Sequence, residues 1–213
     1  MNTAHHSLAR LRRLALAASI SLVFAYGLGD APPAQAAEGP PAAVSNAPPM
    51  TVERVARGRY LVSTAGCMDC HTPLKMGPHG PEPDMGRVLS GHPEQEKMTA
   101  VPVLPEGPWL MIASATNTAF AGPWGVSFTA NLTPDPETGL GRWSVDDFKA
   151  TIRTGRHLGR GREILPPMPI PVYANFNDTD LEAVFDYLRT LPPVKNRVPE
   201  PWAPPAAPVA TAR

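Results

Sequence analysis

The sequence predicts a mainly α-helical domain: a few helices, joined by long ordered loops, around one covalently bound group. Three observations carry that expectation. The run 177–193 has helical periodicity with a stop signal at its end. The stretch 72–142 is rich in glycine and proline and has little periodicity, within a chain of 213 residues holding 28 prolines and 17 glycines. Both cysteines of the chain fall in one pentapeptide, Cys67-Met68-Asp69-Cys70-His71.

Three helices follow from local chemistry. The first is expected from about residue 52 to 65. Thr51 is placed to cap it, Glu53 sits where the helix dipole favours an acid, and Val52, Val55, Ala56 and Tyr60 form a stripe. Gly66 then releases the chain into a loop that carries the cysteines. The second follows Ser144, a good N-cap, with Asp146 and Asp147 early, Val145, Phe148 and Ile152 on one face and Gly155 as the stop. The third begins after Asn177, carries Asp178 and Asp180 in its first turn, and repeats Leu181, Val184, Phe185 and Leu188 at helical spacing. Pro192-Pro193 ends it.

In the long stretch 72–142, a short strand is expected near 109–112 or 125–130. The aromatic residues Trp109, Phe120, Trp124 and Phe128 suggest packing, as a cover over the bound group. Residues 38–50 read as a flexible lead-in. The Pro/Ala-rich tail 199–213 reads as extended or disordered, with Trp202 able to pin its start.

The N-terminus has the three parts of a secretory signal peptide. Arg10, Arg12 and Arg13 precede an apolar run over 14–28, and Ala34-Gln35-Ala36 fits a cleavage site. The run is short against the ~20 residues of a spanning helix. The expected organisation is a signal peptide at 1–36, a lead-in at 37–50, a domain at 51–198 and a tail at 199–213, with no membrane span in the mature chain. The full sequence has 19 basic and 19 acidic residues; losing Arg10, Arg12, Arg13 and Asp30 with the signal leaves a net charge of −2. No basic excess draws the chain to nucleic acid or to an anionic membrane.

Cys-x-x-Cys-His is the attachment signature of haem c. The two thiols, Cys67 and Cys70, add to vinyl groups, and His71 gives one axial nitrogen to the iron. Other readings fit less well. A thioredoxin-like pair belongs at a helix start after a strand in a βαβ pattern, which is missing around Cys67. A zinc site needs about four ligands, commonly two such pairs. A disulfide between residues three apart closes almost no loop. Covalent haem of this kind is attached outside the cytoplasm, which agrees with the export signal and places the protein in the periplasm.

The opposite face of the iron asks for a second ligand. Met168 stands in Ile164-Leu165-Pro166-Pro167-Met168-Pro169-Ile170-Pro171, where flanking prolines reduce the entropy lost in holding a flexible thioether. Met76, Met85 and Met98 are the remaining methionine candidates; Met68 lies inside the attachment loop, and Met50 in the lead-in. His79, His92 and His157 are the histidine alternatives, which would lower the potential, but each is expected at the surface. The basic run 153–162 reads as a solvated face or a docking patch for an acidic partner, in preference to arginines paired with haem propionates.

Taken together, these elements resemble class I c-type cytochromes, and more closely the cytochrome units of membrane-bound alcohol, gluconate and aldehyde dehydrogenases. The similar stretches are Gly58-Arg59-Tyr60-Leu61, residues 67–72, Asn131-Leu132-Thr133-Pro134-Asp135 through to Ser144, Pro166-Pro167-Met168-Pro169, and residues 180–194. The resemblance implies a class I cytochrome c fold, haem on Cys67 and Cys70, and His71 with Met168 as axial ligands. Those dehydrogenase subunits carry three haem units, whereas this sequence has one attachment motif. The expected role is electron transfer between redox proteins, such as a periplasmic or membrane-bound dehydrogenase on one side and a terminal oxidase or another cytochrome on the other. A haem enzyme or gas binder with a displaceable iron ligand is the alternative, as is a cytochrome subunit within a dehydrogenase complex.

Overall fold

A computed structural model describes residues 49–100 and 107–204. The expected signal segment, most of the lead-in and the last part of the tail lie outside the described residues. Five α-helices carry the main core: α1 (Val52–Thr64), α2 (Cys67–His71), α3 (Val145–Thr154), α4 (Ile170–Tyr173) and α5 (Asp178–Arg189). Among the described residues, no helix is long and apolar enough to cross a membrane.

The three expected helices form with the expected caps. The Thr51 side chain accepts from the Arg54 N–H, and the Asn177 side chain accepts from the Asp180 N–H. Ser144 and Asp147 make a reciprocal capping box, and Gly155 closes α3 at φ 65°, a left-handed conformation that costs glycine little. Helix α1 crosses α5, and α3 packs on the other side of α5. Leu61, Val62, Phe148, Ile152, Leu181 and Leu188 are buried in the shared core. Ion pairs line the two contacts: Arg54–Asp186 at 2.7 Å and Arg57–Asp180 at 2.9 Å, then Lys149–Glu182 at 3.2 Å and Arg153–Asp178 at 2.7 Å.

The described parts of the stretch 72–142, residues 72–100 and 107–142, hold more regular structure than the sequence suggests. A hairpin of β1 (Leu74–Gly77) and β2 (Gly80–Pro83) follows the Cys-x-x-Cys-His run. Then β3 (Ile112–Ala113), β4 (Ala119–Gly122) and β5 (Gly125–Phe128) form an antiparallel sheet in that order. The expected strand near 125–130 forms as β5, and the one near 109–112 only touches β3 at Ile112; both strands pair with β4. Ala119, Ala121, Val126 and Phe128 make a second small core. Trp202 joins it, exchanging backbone hydrogen bonds with Val126 at 3.0 and 2.9 Å and meeting Phe128 edge to face. The start of the tail is thus pinned by its tryptophan.

Two expectations fail in this region. Trp109 is 68 % exposed and covers nothing, whereas Phe120 and Phe128 are buried. His92, expected at the surface, is completely buried. Its Nε2 donates to the Glu96 carbonyl (3.2 Å), which leaves Nδ1 to accept from the Thr118 hydroxyl (2.9 Å). Two satisfied ring nitrogens remove the cost of burying a polar ring.

Gly58 permits the close approach of α1 and α5. A Cβ there would lie 1.8 Å from the Ala183 carbonyl oxygen. Gly58→Ala is expected to lower stability by about 2 kcal/mol in denaturant unfolding, and Gly58→Leu to prevent folding. Unchanged unfolding in both would contradict this crossing.

Candidate functional site

A cavity of about 590 Å³ lies between the helical core and the sheet, within the roughly 300–1,000 Å³ range of cofactor pockets. Its walls are largely apolar, with Leu61, Leu132, Phe148, Leu181, Val184 and Leu188 among them. Cys67, Cys70, His71 and Met168 all line it. Residues a hundred positions apart are brought to one space.

The first three sit on α2, a single helical turn where the sequence predicts a loop. Gly66 precedes it at φ 77°, a left-handed conformation that lets the chain turn straight out of α1 into this short helix. Neither cysteine forms a disulfide. Burial pushes the Cys67 thiol up to about 11, with Asp69 adding to the effect, and raises Cys70 as well. A dithiol built for redox exchange has its thiolate favoured instead.

The His71 ring is buried, and its Nδ1 lies 2.8 Å from the Ala130 carbonyl oxygen. A carbonyl only accepts, so Nδ1 carries the proton and Nε2 keeps its lone pair for a ligand. Burial lowers the His71 pKa, opposed by that hydrogen bond, and the ring stays neutral. A neutral imidazole of fixed tautomer is the form that binds metal.

Met168 approaches on the loop between α3 and α4. The Ser127 hydroxyl donates to the Pro166 carbonyl (2.5 Å), and beyond the loop the Tyr173 hydroxyl donates to the Ala65 carbonyl (2.5 Å). Burial pushes the Tyr173 phenol up to about 12, which keeps it a donor. Of the other methionine candidates, Met76 is 79 % and Met85 is 62 % exposed, and Met98 packs on the second core. None of them lines the cavity. His157 does, with its ring edge to face with Trp143, while His79 is exposed.

Several residues of the site have no individual role assigned from the sequence, although Asn131, Arg142 and Arg162 fall in stretches it singles out. Arg142, Arg162 and Arg197 reach the cavity rim, where Arg162 pairs with Glu200 at 3.2 Å. Only Arg162 belongs to the basic run 153–162. Asn131, buried on the cavity wall, joins two distant segments. Its Oδ1 accepts from the Thr133 N–H (3.0 Å) and hydroxyl (2.7 Å), and its Nδ2 donates to the Val194 carbonyl (2.8 Å) and the Thr138 hydroxyl (3.2 Å). Asn196, fully buried, does the same for the loop before β3: it donates to the Ser90 and His92 carbonyls and accepts from Arg87 and from the Glu94 N–H. Exposed asparagines in a Pro-rich chain give no sequence signal that separates them from these.

In chemical terms, the cavity offers two thiols able to form thioethers, the His71 imidazole with a lone pair on Nε2, a second imidazole on His157 and one thioether sulfur, in largely apolar surroundings. Comparison with known proteins agrees in kind. No protein-family model matches the chain. It is 40 % identical over 88 residues to a nicotinate dehydrogenase component of Pseudomonas putida, covering 41 % of this chain and 7 % of that protein. It is 29 % identical over 133 residues to the gluconate 2-dehydrogenase cytochrome c subunit of Pantoea cypripedii, covering 62 % and 22 %. It is 33 % identical over 78 residues to a diheme c-type cytochrome of Cereibacter sphaeroides, covering 37 % and 26 %. The chain spans about a quarter or less of the length of these relatives. It is a relative of the c-type cytochromes.

Asn131→Ala is expected to remove the nearer of the two donors to the Val194 carbonyl, leaving it the Thr133 hydroxyl at 3.4 Å, and to leave the Thr133 N–H without its acceptor, at a cost of about 2 kcal/mol of stability. Denaturant unfolding measures this, and a loss below about 0.5 kcal/mol would contradict the bridging role.

Proposed function

We propose that this protein is a single-haem c-type cytochrome that carries electrons between redox proteins in the periplasm. In this reading, residues 1–36 direct export, Cys67 and Cys70 hold the haem through thioethers, and His71 and Met168 occupy the two axial positions. The observation that carries it is the convergence of those four side chains, and of no other methionine among the described residues, on one apolar cavity. The names of the relatives support haem c and electron transfer as its chemistry.

Haem bound in this cavity would supply an iron centre that takes up and releases one electron. The chain's own residues set how that happens. The Ala130 carbonyl holds the His71 proton on Nδ1 and makes Nε2 the donor atom. The Met168 sulfur, a soft donor, favours the reduced metal and raises the potential relative to a histidine in its place. The apolar walls exclude water and disfavour extra charge, which works in the same direction. At the rim, Arg142, Arg162 and Arg197 provide positive charge for the two carboxylates that a haem carries. His71 and Met168 together would hold the iron through two protein groups, which would leave a substrate or gas no vacant site and would favour electron transfer over catalysis.

A dehydrogenase is the proposed donor, and a terminal oxidase or another cytochrome the acceptor. A second reading, as a cytochrome subunit held within a dehydrogenase complex, draws on the relatives named as such subunits. Co-purification at high salt separates the two: a subunit stays with its dehydrogenase, and a carrier is released.

Met168→Ala is expected to abolish the near-infrared methionine-sulfur band of the oxidised protein and to lower its potential, with the haem still covalently bound. Survival of the band would assign the sulfur to another methionine. Cys70→Ser is expected to leave one thioether in place of two, seen as a shifted pyridine haemochrome spectrum. An unshifted spectrum would remove Cys70 from the attachment site.

A further inference from the structure

Ser127 and Ala130 lie three residues apart on β5 and its continuation, and each bonds to the support of a different proposed iron ligand. The Ala130 carbonyl accepts from His71 Nδ1 at 2.8 Å. The Ser127 hydroxyl, buried, donates to the Pro166 carbonyl at 2.5 Å, two residues before Met168. The other acceptor within reach of that hydroxyl, the Phe120 carbonyl, is farther at 3.4 Å. The single hydroxyl proton therefore goes to Pro166.

The methionine loop needs a donor from outside. Three of the five residues 165–169, Pro166, Pro167 and Pro169, have no backbone N–H. The loop is consequently rich in acceptors and poor in donors. Its carbonyls beyond the methionine are bonded locally, Met168 by the Ile170 N–H and Pro169 by the Val172 and Tyr173 N–H groups. Ahead of it, the Pro166 carbonyl is bonded by Ser127 across the cavity wall. The strand that supplies Ser127 is itself fixed on both sides, by β4 through the register Phe120↔Ser127 and by Trp202 through Val126.

We propose that the segment from Ser127 to Ala130 is a strut holding both axial groups, and that Ser127 is a positioning residue that sets how readily Met168 is displaced from the iron. The proposal rests on the His71/Met168 reading above. Ala130 acts through its backbone and tolerates side-chain change. Ser127 acts through its side chain, which makes the strut separable by mutation.

The test is imidazole binding to the oxidised holoprotein, with the near-infrared sulfur band followed in parallel. Ser127→Ala is expected to tighten apparent imidazole binding about five-fold, the factor a typical net hydrogen bond is worth, because the competing methionine is held less well. Ser127→Thr, which keeps the hydroxyl, is expected to stay within about two-fold of the parent. Should Ser127→Ala fail to accumulate, the isosteric pair Ser127→Thr and Ser127→Val gives the same comparison. Equal imidazole affinity with and without the hydroxyl, in proteins that all show the sulfur band, overturns the strut and leaves the ligation reading standing. A parent protein without the sulfur band overturns the ligation reading and the strut with it.

Discussion

The hydrogen bond from His71 Nδ1 to the Ala130 carbonyl is the contact on which the rest of the arrangement depends. It fixes which nitrogen of a buried, cavity-lining ring carries the proton, and so leaves Nε2 its lone pair. A carbonyl can do this only if its strand is held rigidly beside α2. The long, Gly- and Pro-rich stretch after the cysteine motif serves that end. Around it, Asn117 donates to the Asp69 carbonyl, the Gly91 N–H donates to the His71 carbonyl, and the Leu74 N–H donates to the Thr116 carbonyl. The first two bonds tie the stretch to α2 and the third ties it to itself, and an apparent loop becomes part of the wall of the site.

The helical frame supplies the other constraint. Helices α1 and α5 meet closely because Gly58 has no side chain, and α3 closes the core from the far side through Phe148 against Phe185. This frame presents α2 at the end of α1 and the methionine loop between α3 and α5. Apolar burial provides the stabilisation, and the ion pairs along the helix contacts, mostly part-exposed, choose the register more than they add to the sum.

The helices are legible in the sequence because their signals are local. Thr51, Ser144, Asn177 and Gly155 act within one turn of where they stand, and the cavity-lining motif Cys67–His71 is contiguous. Met168 is legible for a related reason: its flanking prolines mark a stiff loop without reference to distant residues. The sheet is only half legible. Its strands are two to four residues long, too short for alternation to show, and their pairing depends on partners elsewhere. The bridging roles of Ser127, Asn131 and Asn196 are not readable, although Asn131 opens a stretch that carries the resemblance, since what distinguishes a buried bridging amide or hydroxyl from an exposed one is a group it meets far along the chain. The expectation for His92 fails for the same reason: its two partners, in the Thr118 side chain and the Glu96 backbone, exist only after the loop has folded.

A buried neutral histidine and a proline-flanked methionine line one cavity, and together they are the ligands proposed for a haem iron. Iron K-edge X-ray absorption of the oxidised holoprotein tests this pairing most directly. The expected result is one sulfur and five nitrogen neighbours around the iron, with the sulfur lost in Met168→Ala. A first shell of nitrogen and oxygen alone in the parent protein would contradict it.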